Sequence, residues 1–275
     1  MSDRRLTPAN ERVAAASLRG RVDAPRYVEG SAAGVTAPVV DLCAAPGGPR
    51  DRQLLAGAAV TVFEREADWA FVQSEDDGYV GYVKATSLGT TCAPTHRVTA
   101  RATHVYPRAD IKSPEGVALP MGARVAVLTR HGRFAETAHG FVPAAHLSPL
   151  DERAADPVEV AERLVGTPYL WGGNSAFGID CSGLVQLALA LCGRSCPGDS
   201  DLQERALGET QPPGTPARRG DLLFWKGHVA WVADPDTILH ANVHHMAVAY
   251  EAREGAIARI EAQGDGAVTR HARLA

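Results

Sequence analysis

One cysteine has the surroundings that a nucleophilic thiol needs. Cys181 follows Asp180 and precedes the apolar stretch 182–192, so a helix that begins there would carry the thiol at its N-terminus. The backbone N–H groups and the dipole at such a terminus favour a thiolate and could also hold the oxyanion formed when a carbonyl is attacked. A buried structural thiol fits the same position equally well.

A cysteine nucleophile needs a base, and the base needs a group that orients it. His228 and His240 each lie between apolar residues typical of strands. Each could be a buried structural histidine. On adjacent strands they could instead form a Cys–His–His line in which His240 holds the tautomer of His228. His244 and His245 lack strand residues on both sides, so we rank them lower as bases.

The elements that must position these residues lie between 151 and 275. Residues 158–165 predict an amphipathic helix with Asp156 as its N-cap, and residues 180–192 predict a buried helix. Strands are predicted at 221–225, 229–232 and 237–241. Helices followed by an antiparallel sheet indicate an α+β fold.

The region before this domain has a different pattern. Residues 1–37 show no sustained period and are interpreted as an arm that packs on the domains. Residues 38–92 and 93–150 each contain a glycine turn, an alternating strand, an aromatic residue and a Gly-aromatic-Val strand. This internal repeat predicts two copies of one unit, and short strands at this spacing favour a small barrel.

Composition excludes several classes of protein. The 275 residues are 45% hydrophobic and 22% charged, with a net charge of -4. No basic cluster suggests nucleic-acid binding, and no apolar run reaches the length of a membrane span. No signal peptide is visible, so we expect a cytoplasmic protein. Of the five cysteines, Cys192 and Cys196 could form half of a metal site without a second pair, so neither a metal nor a cofactor is expected. The oligomeric state stays open.

Five sequence blocks resemble the NlpC-type papain-like cell-wall peptidases. They are GTPYLWGG (166–173), DCSG (180–183), RGDLLF (219–224), GHV (227–229) and LHA (239–241). The resemblance implies Cys181 as nucleophile, His228 as base and His240 as third member. It also implies a papain-like domain over 151–275, with the cysteine-bearing helix packed on an antiparallel sheet.

The resemblance is closer to one branch, in which two bacterial Src-homology-three-like domains precede the catalytic domain. That branch implies a γ-D-glutamyl-L-diamino acid endopeptidase acting on peptidoglycan-derived peptides with a free N-terminal L-Ala, as in cell-wall recycling. The implied substrate-binding residues are Tyr169 and Trp171 as cleft walls, Asp180 for the L-Ala ammonium, Ser182, Asp199 and Ser200 for the peptide and its γ-D-Glu carboxylate, and Tyr79 or Tyr82 from the first barrel.

Some of these residues also have simpler interpretations. Asp180 suits a helix N-cap, and the pair Asp199 and Ser200 suits a surface turn or another cap. The branch often carries an acid after the glycine of the first barrel's turn, but here Ala58 stands there, with Glu64 or Glu66 as substitutes. Two other functions remain open, a peptidoglycan-binding protein and an amidase or acyltransferase on the same Cys-His scaffold.

Overall fold

The computed structural model describes residues 3–90 and 92–274, and the chain divides into two compact units, 1–150 and 151–275. In the described part of the chain, no helix is both long and apolar enough to cross a membrane.

The first unit contains 3-10 turns at Arg4–Leu6, Ala16–Leu18, Ala85–Ser87 and Ala144–His146, and the strands β1 (Ala14–Ala15), β2 (Tyr27–Val28), β3 (Ser31–Val35), β4 (Val39–Cys43), β5 (Arg50–Leu55), β6 (Ala59–Glu66), β7 (Trp69–Ser74), β8 (Val80–Lys84), β9 (Leu88–Gly89), β10 (His96–Val98), β11 (Ala102–Val105), β12 (Val117–Pro120), β13 (Arg124–Val125), β14 (Val127–His131), β15 (Phe134–Thr137), β16 (Gly140–Pro143) and β17 (Leu147–Pro149).

Strands β3 to β9 form one sheet in the order β5-β4-β8-β7-β6-β3-β9. The N-terminal segment packs on it, since Val13 and Leu18 are buried against Phe63 and Phe71. The segment predicted as an arm, residues 1–37, also contains a strand of this sheet. Ser31–Val35 pairs with β6 and β9 as a strand of the sheet. Its Ser, Ala and Gly residues carry no alternating apolar pattern, so only the pairing identifies it.

Strands β14 to β17 repeat the order of elements seen in β6 to β9. In β6 to β9, a hairpin and a third strand lead into the 3-10 turn Ala85–Ser87 and a short strand. In β14 to β17, the same order passes through the turn Ala144–His146. Both hairpins also carry a register shift, between Val62 and Glu64 and between Val127 and Thr129. The order of elements therefore follows the repeat predicted from the sequence.

The second unit contains helices α1 (Pro157–Glu162), α2 (Cys181–Leu191), α3 (Ser200–Ala206) and α4 (Arg253–Ala262), and strands β18 (Asn174–Ser175), β19 (Gly178–Ile179), β20 (Glu209–Thr210), β21 (Asp221–Trp225), β22 (His228–Asp234), β23 (Thr237–Asn242), β24 (Ala247–Ala252) and β25 (Arg270–Arg273). The predicted α1, α2, β21, β22 and β23 are confirmed, with α1 ending at Glu162 and not at 165. The sequence did not predict β24, α4 or β25.

Six strands form the antiparallel sheet of this unit, in the order β20-β25-β21-β22-β23-β24. Helix α2 packs against β22 and β23. Most of its side chains are Leu, Val or Ala and are buried, because the helix lies between the sheet and α1. The buried Asp221 joins β21 to β25 by accepting hydrogen bonds from Arg273 and His271. The sheet therefore forms the surface on which α2 packs.

Helix α1 is held at both ends by polar contacts. The Asp156 carboxylate accepts a hydrogen bond from the Val158 N–H at 2.8 Å, which makes it the N-cap that the sequence predicts. Arg219 donates to Asp156 at 2.7 Å and to Glu162 at 2.9 Å. Arg219 therefore forms ion pairs at both ends of α1.

These contacts predict a measurable loss of stability in Asp156→Ala. Removing the cap leaves an N–H of the first turn without its partner, at a cost of about 1 kcal/mol, and also removes one Arg219 contact. Asp156→Asn keeps a capping oxygen, so its free energy of unfolding should fall less. Chemical denaturation of the three proteins followed by circular dichroism measures the difference. Equal stability of Asp156→Ala and wild type would contradict the capping role.

Candidate active site

Cys181 is the first residue of α2 and is 7% exposed. Asp180 caps the helix: its Oδ1 accepts from the Gly183 N–H at 2.7 Å and from the Ser182 hydroxyl at 2.9 Å. Its Oδ2 accepts from the Gly172 N–H at 2.8 Å. The thiol therefore lies at a helix N-terminus, as the sequence predicts, with the N–H groups of Cys181 and Ser182 beside the sulfur.

A close backbone contact sets the position of this first helical turn. A Cβ on Gly183 would lie 2.3 Å from the Gly173 carbonyl oxygen. The Asp180 N–H also donates to that carbonyl, at 3.1 Å. Glycine at 183 therefore lets the loop before the cysteine lie directly on the helix.

The two histidines lie on adjacent strands, as proposed from the sequence. His228 begins β22, and the N–H of the next residue, Val229, donates to the Cys181 sulfur. The Nε2 atom of His228 lies 2.8 Å from Nδ1 of His240. His240 on β23 is fully buried, and its Nε2 lies 3.1 Å from Oε2 of Glu251 on β24. Three neighbouring strands thus supply a line of His228, His240 and Glu251.

Glu251 is held in turn by Arg259 of α4. The Arg259 guanidinium donates to Oε1 at 2.8 Å and to Oε2 at 2.7 Å, a bidentate pair. The hydrogen bond and charge of Arg259 lower the pKa of Glu251 to about 2. Glu251 is therefore ionised at neutral pH and can only accept hydrogen bonds.

This carboxylate determines the tautomer of both imidazoles. Since Glu251 only accepts, Nε2 of His240 carries the ring proton and Nδ1 carries the lone pair. Nε2 of His228 must then donate to that lone pair. The lone pair of His228 is left on Nδ1, so this nitrogen is the one that can accept a proton. Neither Glu251 nor Arg259 was found from the sequence, because both lie on elements that the sequence did not predict.

The buried position of the pair favours uncharged groups at rest. Burial, together with the charge of Asp180, raises the pKa of the Cys181 thiol. Burial, together with His240 and Arg259, lowers the pKa of His228 to about 3. At neutral pH the resting site therefore holds a thiol and a neutral imidazole. A thiol attacks as its thiolate, so attack from this resting state requires a base that takes the thiol proton.

Three of the residues predicted to bind substrate interact with Cys181 or with its neighbour Asp180. Burial and the charged forms of Cys181 and Asp180 raise the pKa of Tyr169, so its phenol stays protonated beside the thiol. Burial raises the pKa of Asp180, and the charge of Asp199 adds to this effect. Ser182 points its hydroxyl to Asp180.

Three other residues of this unit that were predicted to bind substrate, Asp199, Ser200 and Trp171, differ in their burial. Asp199 occupies the N-cap position of α3 without a capping side-chain bond, and Ser200, the first residue of that helix, is buried. Trp171 is 69% exposed, in the loop that precedes Gly172. Its exposure agrees with a surface role and not with a place in the core. The substrate contacts assigned to these three residues stay predictions.

Tyr79 and Tyr82 belong to the first unit. Tyr79 is 1% exposed, with the Arg52 guanidinium over its ring, and the Tyr82 hydroxyl accepts a hydrogen bond from Asn10. Glu64 is one of the two acids proposed to replace the acid that is missing at Ala58. Its carboxylate accepts hydrogen bonds from the side chains of Asn10, Arg12 and Arg26. The charge of Glu64 is therefore already balanced by the N-terminal segment.

A thiol at a helix N-terminus, packed on an antiparallel sheet that supplies its histidine, defines a papain-like cysteine peptidase domain. Comparison with known proteins agrees with this class. The NlpC/P60 family matches residues 166–260, and the bacterial dipeptidyl-peptidase Sh3 domain matches residues 42–88. Residues 166–260 therefore belong to an NlpC/P60 domain, the cysteine peptidase domain of this chain, and an Sh3 domain precedes it.

Individual relatives agree with the family. The γ-D-glutamyl-L-lysine dipeptidyl-peptidase of Bacillus subtilis (strain 168) is 30% identical over 194 residues, which cover 63% of each chain. Dipeptidyl-peptidase 6 of Lysinibacillus sphaericus is 36% identical over 94 residues, or 31% of each chain. The chain thus spans less than two thirds of the length of these relatives. An NlpC/P60 family protein from Bacillus cereus ATCC 10987 has the same fold, with a TM-score of 0.73 at 20% identity over 89% of this chain and 99% of that one.

Glu251→Ala should lower the peptidase kcat strongly and leave KM less changed. Without the acceptor, His240 and His228 can adopt the opposite tautomer, and a wrong tautomer costs up to about 10⁴-fold in a serine protease triad. Glu254→Ala is the matched control, because Glu254 is an exposed acid on α4. Steady-state kinetics of both variants, with circular dichroism to check folding, decide the role. Equal kcat in the two variants would contradict it.

The buried histidines predict a loss of stability in mild acid. The folded-state pKa of His228 lies at about 3 and that of His240 at about 4, against an ordinary value of 6.5. Between these values the unfolded chain binds protons that the folded chain does not. The contribution of the two histidines to the free energy of unfolding is therefore fully present above pH 6.5 and is lost as the pH falls below 6.5. The slope is about 1.4 kcal/mol per pH unit for each group.

Unfolding of wild type and His228→Gln at pH 7.5 and pH 5.0 measures this effect. Wild type should lose more stability than the variant, because the variant lacks one of the two buried groups. His244→Gln, a change of an exposed histidine, should behave like wild type. The prediction fails if His228→Gln shows the full pH dependence of wild type.

Proposed function

We propose that this protein hydrolyses the bond between γ-D-Glu and the diamino acid in peptidoglycan stem peptides, acting on peptides with a free N-terminal L-Ala during cell-wall recycling. The observation that carries this proposal is the line of His228, His240 and Glu251, which defines the tautomer of a base. The N–H of Val229, the residue after His228, bonds to the sulfur of Cys181. The bond is suggested by the relatives named γ-D-glutamyl-L-lysine dipeptidyl-peptidase.

In this mechanism the Cys181 sulfur attacks the γ-carbonyl carbon while Nδ1 of His228 takes the thiol proton. The tetrahedral intermediate then collapses, and the imidazolium gives that proton to the leaving amine of the diamino acid. Water attacks the resulting thioester with His228 again as base, which releases the γ-D-Glu carboxylate and restores the thiol. Glu251 stabilises the charged imidazole line through His240 at each proton transfer.

Donors around the sulfur support stabilisation of the oxyanion. The N–H groups of Cys181 and Ser182 lie at the start of α2, where the helix dipole favours negative charge. The Tyr169 phenol lies nearby, and its raised pKa keeps its proton available for donation. We assign Tyr169 to the oxyanion as well as to the wall of the cleft.

The surroundings of Asp180 support recognition of the L-Ala ammonium. Three hydrogen bonds from the described residues occupy three of the roughly four lone-pair directions of its carboxylate, which leaves one on Oδ2. Asp199 adds a second negative charge nearby. A cation bound between the two acids would relieve their repulsion, so the cap and the ammonium contact can coexist. Peptides with a blocked amine should then be poor substrates.

We also assign the segment 93–150 to a second Src-homology-three-like domain. The Sh3 match covers residues 42–88 only. The shared order of hairpin, third strand, 3-10 turn and short strand supports a second copy. In the branch that the sequence resembles, such domains precede the catalytic domain and close the amine end of the substrate with a tyrosine.

The function is tested by incubating the protein with L-Ala-γ-D-Glu-meso-diaminopimelate and separating the products by chromatography with mass detection. Wild type and Cys192→Ala should release L-Ala-γ-D-Glu, whereas Cys181→Ala should release none. Cys192 is the matched control, a buried thiol that follows the last residue of the same helix. Release of alanine or transfer of the acyl group to another amine would favour the amidase or acyltransferase function instead.

An N-acetylated form of the same peptide tests recognition of the amine. Its kcat/KM should fall by about tenfold or more, because the acetyl group removes the charge that Asp180 would bind. Equal rates on the two peptides would leave the peptidase activity in place and remove the role assigned to Asp180.

A further inference from the structure

A second histidine lies beside the end of the catalytic line. Ligand atoms of His240, His245 and Glu251 all lie within 4.8 Å of one another. His245 is exposed, in the turn between β23 and β24, whereas His240 is buried and Glu251 is half-buried. The three residues thus form a cluster, His240-His245-Glu251, that opens to solvent on the side of His245.

The orientation of His245 suits a ligand. The Asn242 side-chain oxygen accepts from the His245 N–H at 2.8 Å and lies 3.1 Å from His245 Nδ1. Nδ1 therefore carries the ring proton, and the lone pair lies on Nε2. Asn242 is itself buried, so this arrangement is held by the protein and not by solvent. His245 thus has a nitrogen in the state that a metal ion requires.

Two imidazoles and one carboxylate are a ligand set that Zn²⁺ takes in proteins, with water in the fourth position. Calcium and magnesium prefer oxygen ligands, so the set favours a transition ion. The sequence predicted no metal, because Cys192 and Cys196 have no second pair of ligands at zinc spacing. Strand pairing between β23 and β24 brings them together.

We propose that the cluster His240-His245-Glu251 is an inhibitory binding site for Zn²⁺. The inhibitory part rests on the proposed peptidase function, whereas the binding part stands on the geometry of the cluster alone. Binding and inhibition are therefore separable by experiment.

Inhibition follows from the direction of the hydrogen bonds. In the active arrangement, Nε2 of His240 carries a proton directed at Glu251. A metal on Nε2 needs the lone pair there, so the ring proton moves to Nδ1. Nε2 of His228 must then accept a hydrogen bond, and its proton moves to Nδ1. That nitrogen can no longer take the proton of Cys181, so attack by the thiol stops.

Arg259 lowers the affinity of the cluster for Zn²⁺. Its guanidinium bonds both oxygens of Glu251, so Zn²⁺ must displace one of these bonds and tolerate a nearby positive charge. The affinity is therefore lower than that of a structural zinc site, and a chelator should reverse the inhibition. This reversibility distinguishes a regulatory ion from one on which folding depends.

Calorimetric titration with ZnCl₂ at pH 7 tests binding without any substrate. Cys181→Ala is the background, because the thiol and His228 could hold zinc by themselves. This variant and Cys181→Ala/His244→Ala should bind the ion with equal affinity, whereas Cys181→Ala/His245→Ala should bind it about tenfold or more weakly. His244 is the matched control, an exposed histidine next to His245. Unchanged affinity after loss of His245 would overturn the site.

Inhibition of peptide hydrolysis by ZnCl₂ tests the second part. His245→Ala should keep activity without zinc and need about tenfold more zinc for half inhibition than wild type or His244→Ala. EDTA should restore the activity of wild type. Zinc binding that depends on His245 with inhibition that does not would overturn the tautomer mechanism. If the peptide is not cleaved at all, the proposed function fails while calorimetry still decides the metal site.

Discussion

The ionised carboxylate of Glu251 is the group on which the catalytic arrangement depends. Imidazoles both donate and accept, so two of them in line do not by themselves determine which nitrogen carries each proton. A group that only accepts, placed at the end of the line, sets the direction of both hydrogen bonds. Arg259 maintains that group by keeping it charged and by fixing both of its oxygens. The tautomer of His228, the base in the proposed mechanism, is thus determined by an ion pair two side chains away.

Burial and the helix terminus act in opposite directions on the nucleophile. The N–H groups at the start of α2 favour a thiolate, but burial and the negative Asp180 disfavour it more, so the thiol is protonated at rest. The same burial lowers the pKa of His228, which keeps the base neutral and able to accept. In the proposed mechanism, this neutral pair separates charge when the substrate carbonyl takes the negative charge, and the helix N–H groups contact the developing oxyanion.

Structural and functional roles coincide in the first turn of α2. Asp180 is a helix cap, which is the simpler of the two interpretations, yet its remaining lone pair and the neighbouring Asp199 suit a cation. An ionised carboxylate suits both a helix cap and an ammonium site. A single residue can therefore serve both purposes without conflict, because the two partners approach different oxygens. Gly183 and Gly173 allow the close backbone contact that keeps this turn in place.

The sequence by itself determined the local features of the site. The Asp180 cap, the position of Cys181 on α2, and the strands of His228 and His240 follow from patterns that depend only on neighbouring residues. Glu251, Arg259 and His245 could not be found in this way. In the antiparallel register of β23 and β24, His240 lies opposite Ala249, and Glu251 follows two residues later on the same face. A shift of one residue would place Glu251 on the other face. Such a register is set by packing over the whole sheet, so only the tertiary structure decided which groups complete the catalytic line.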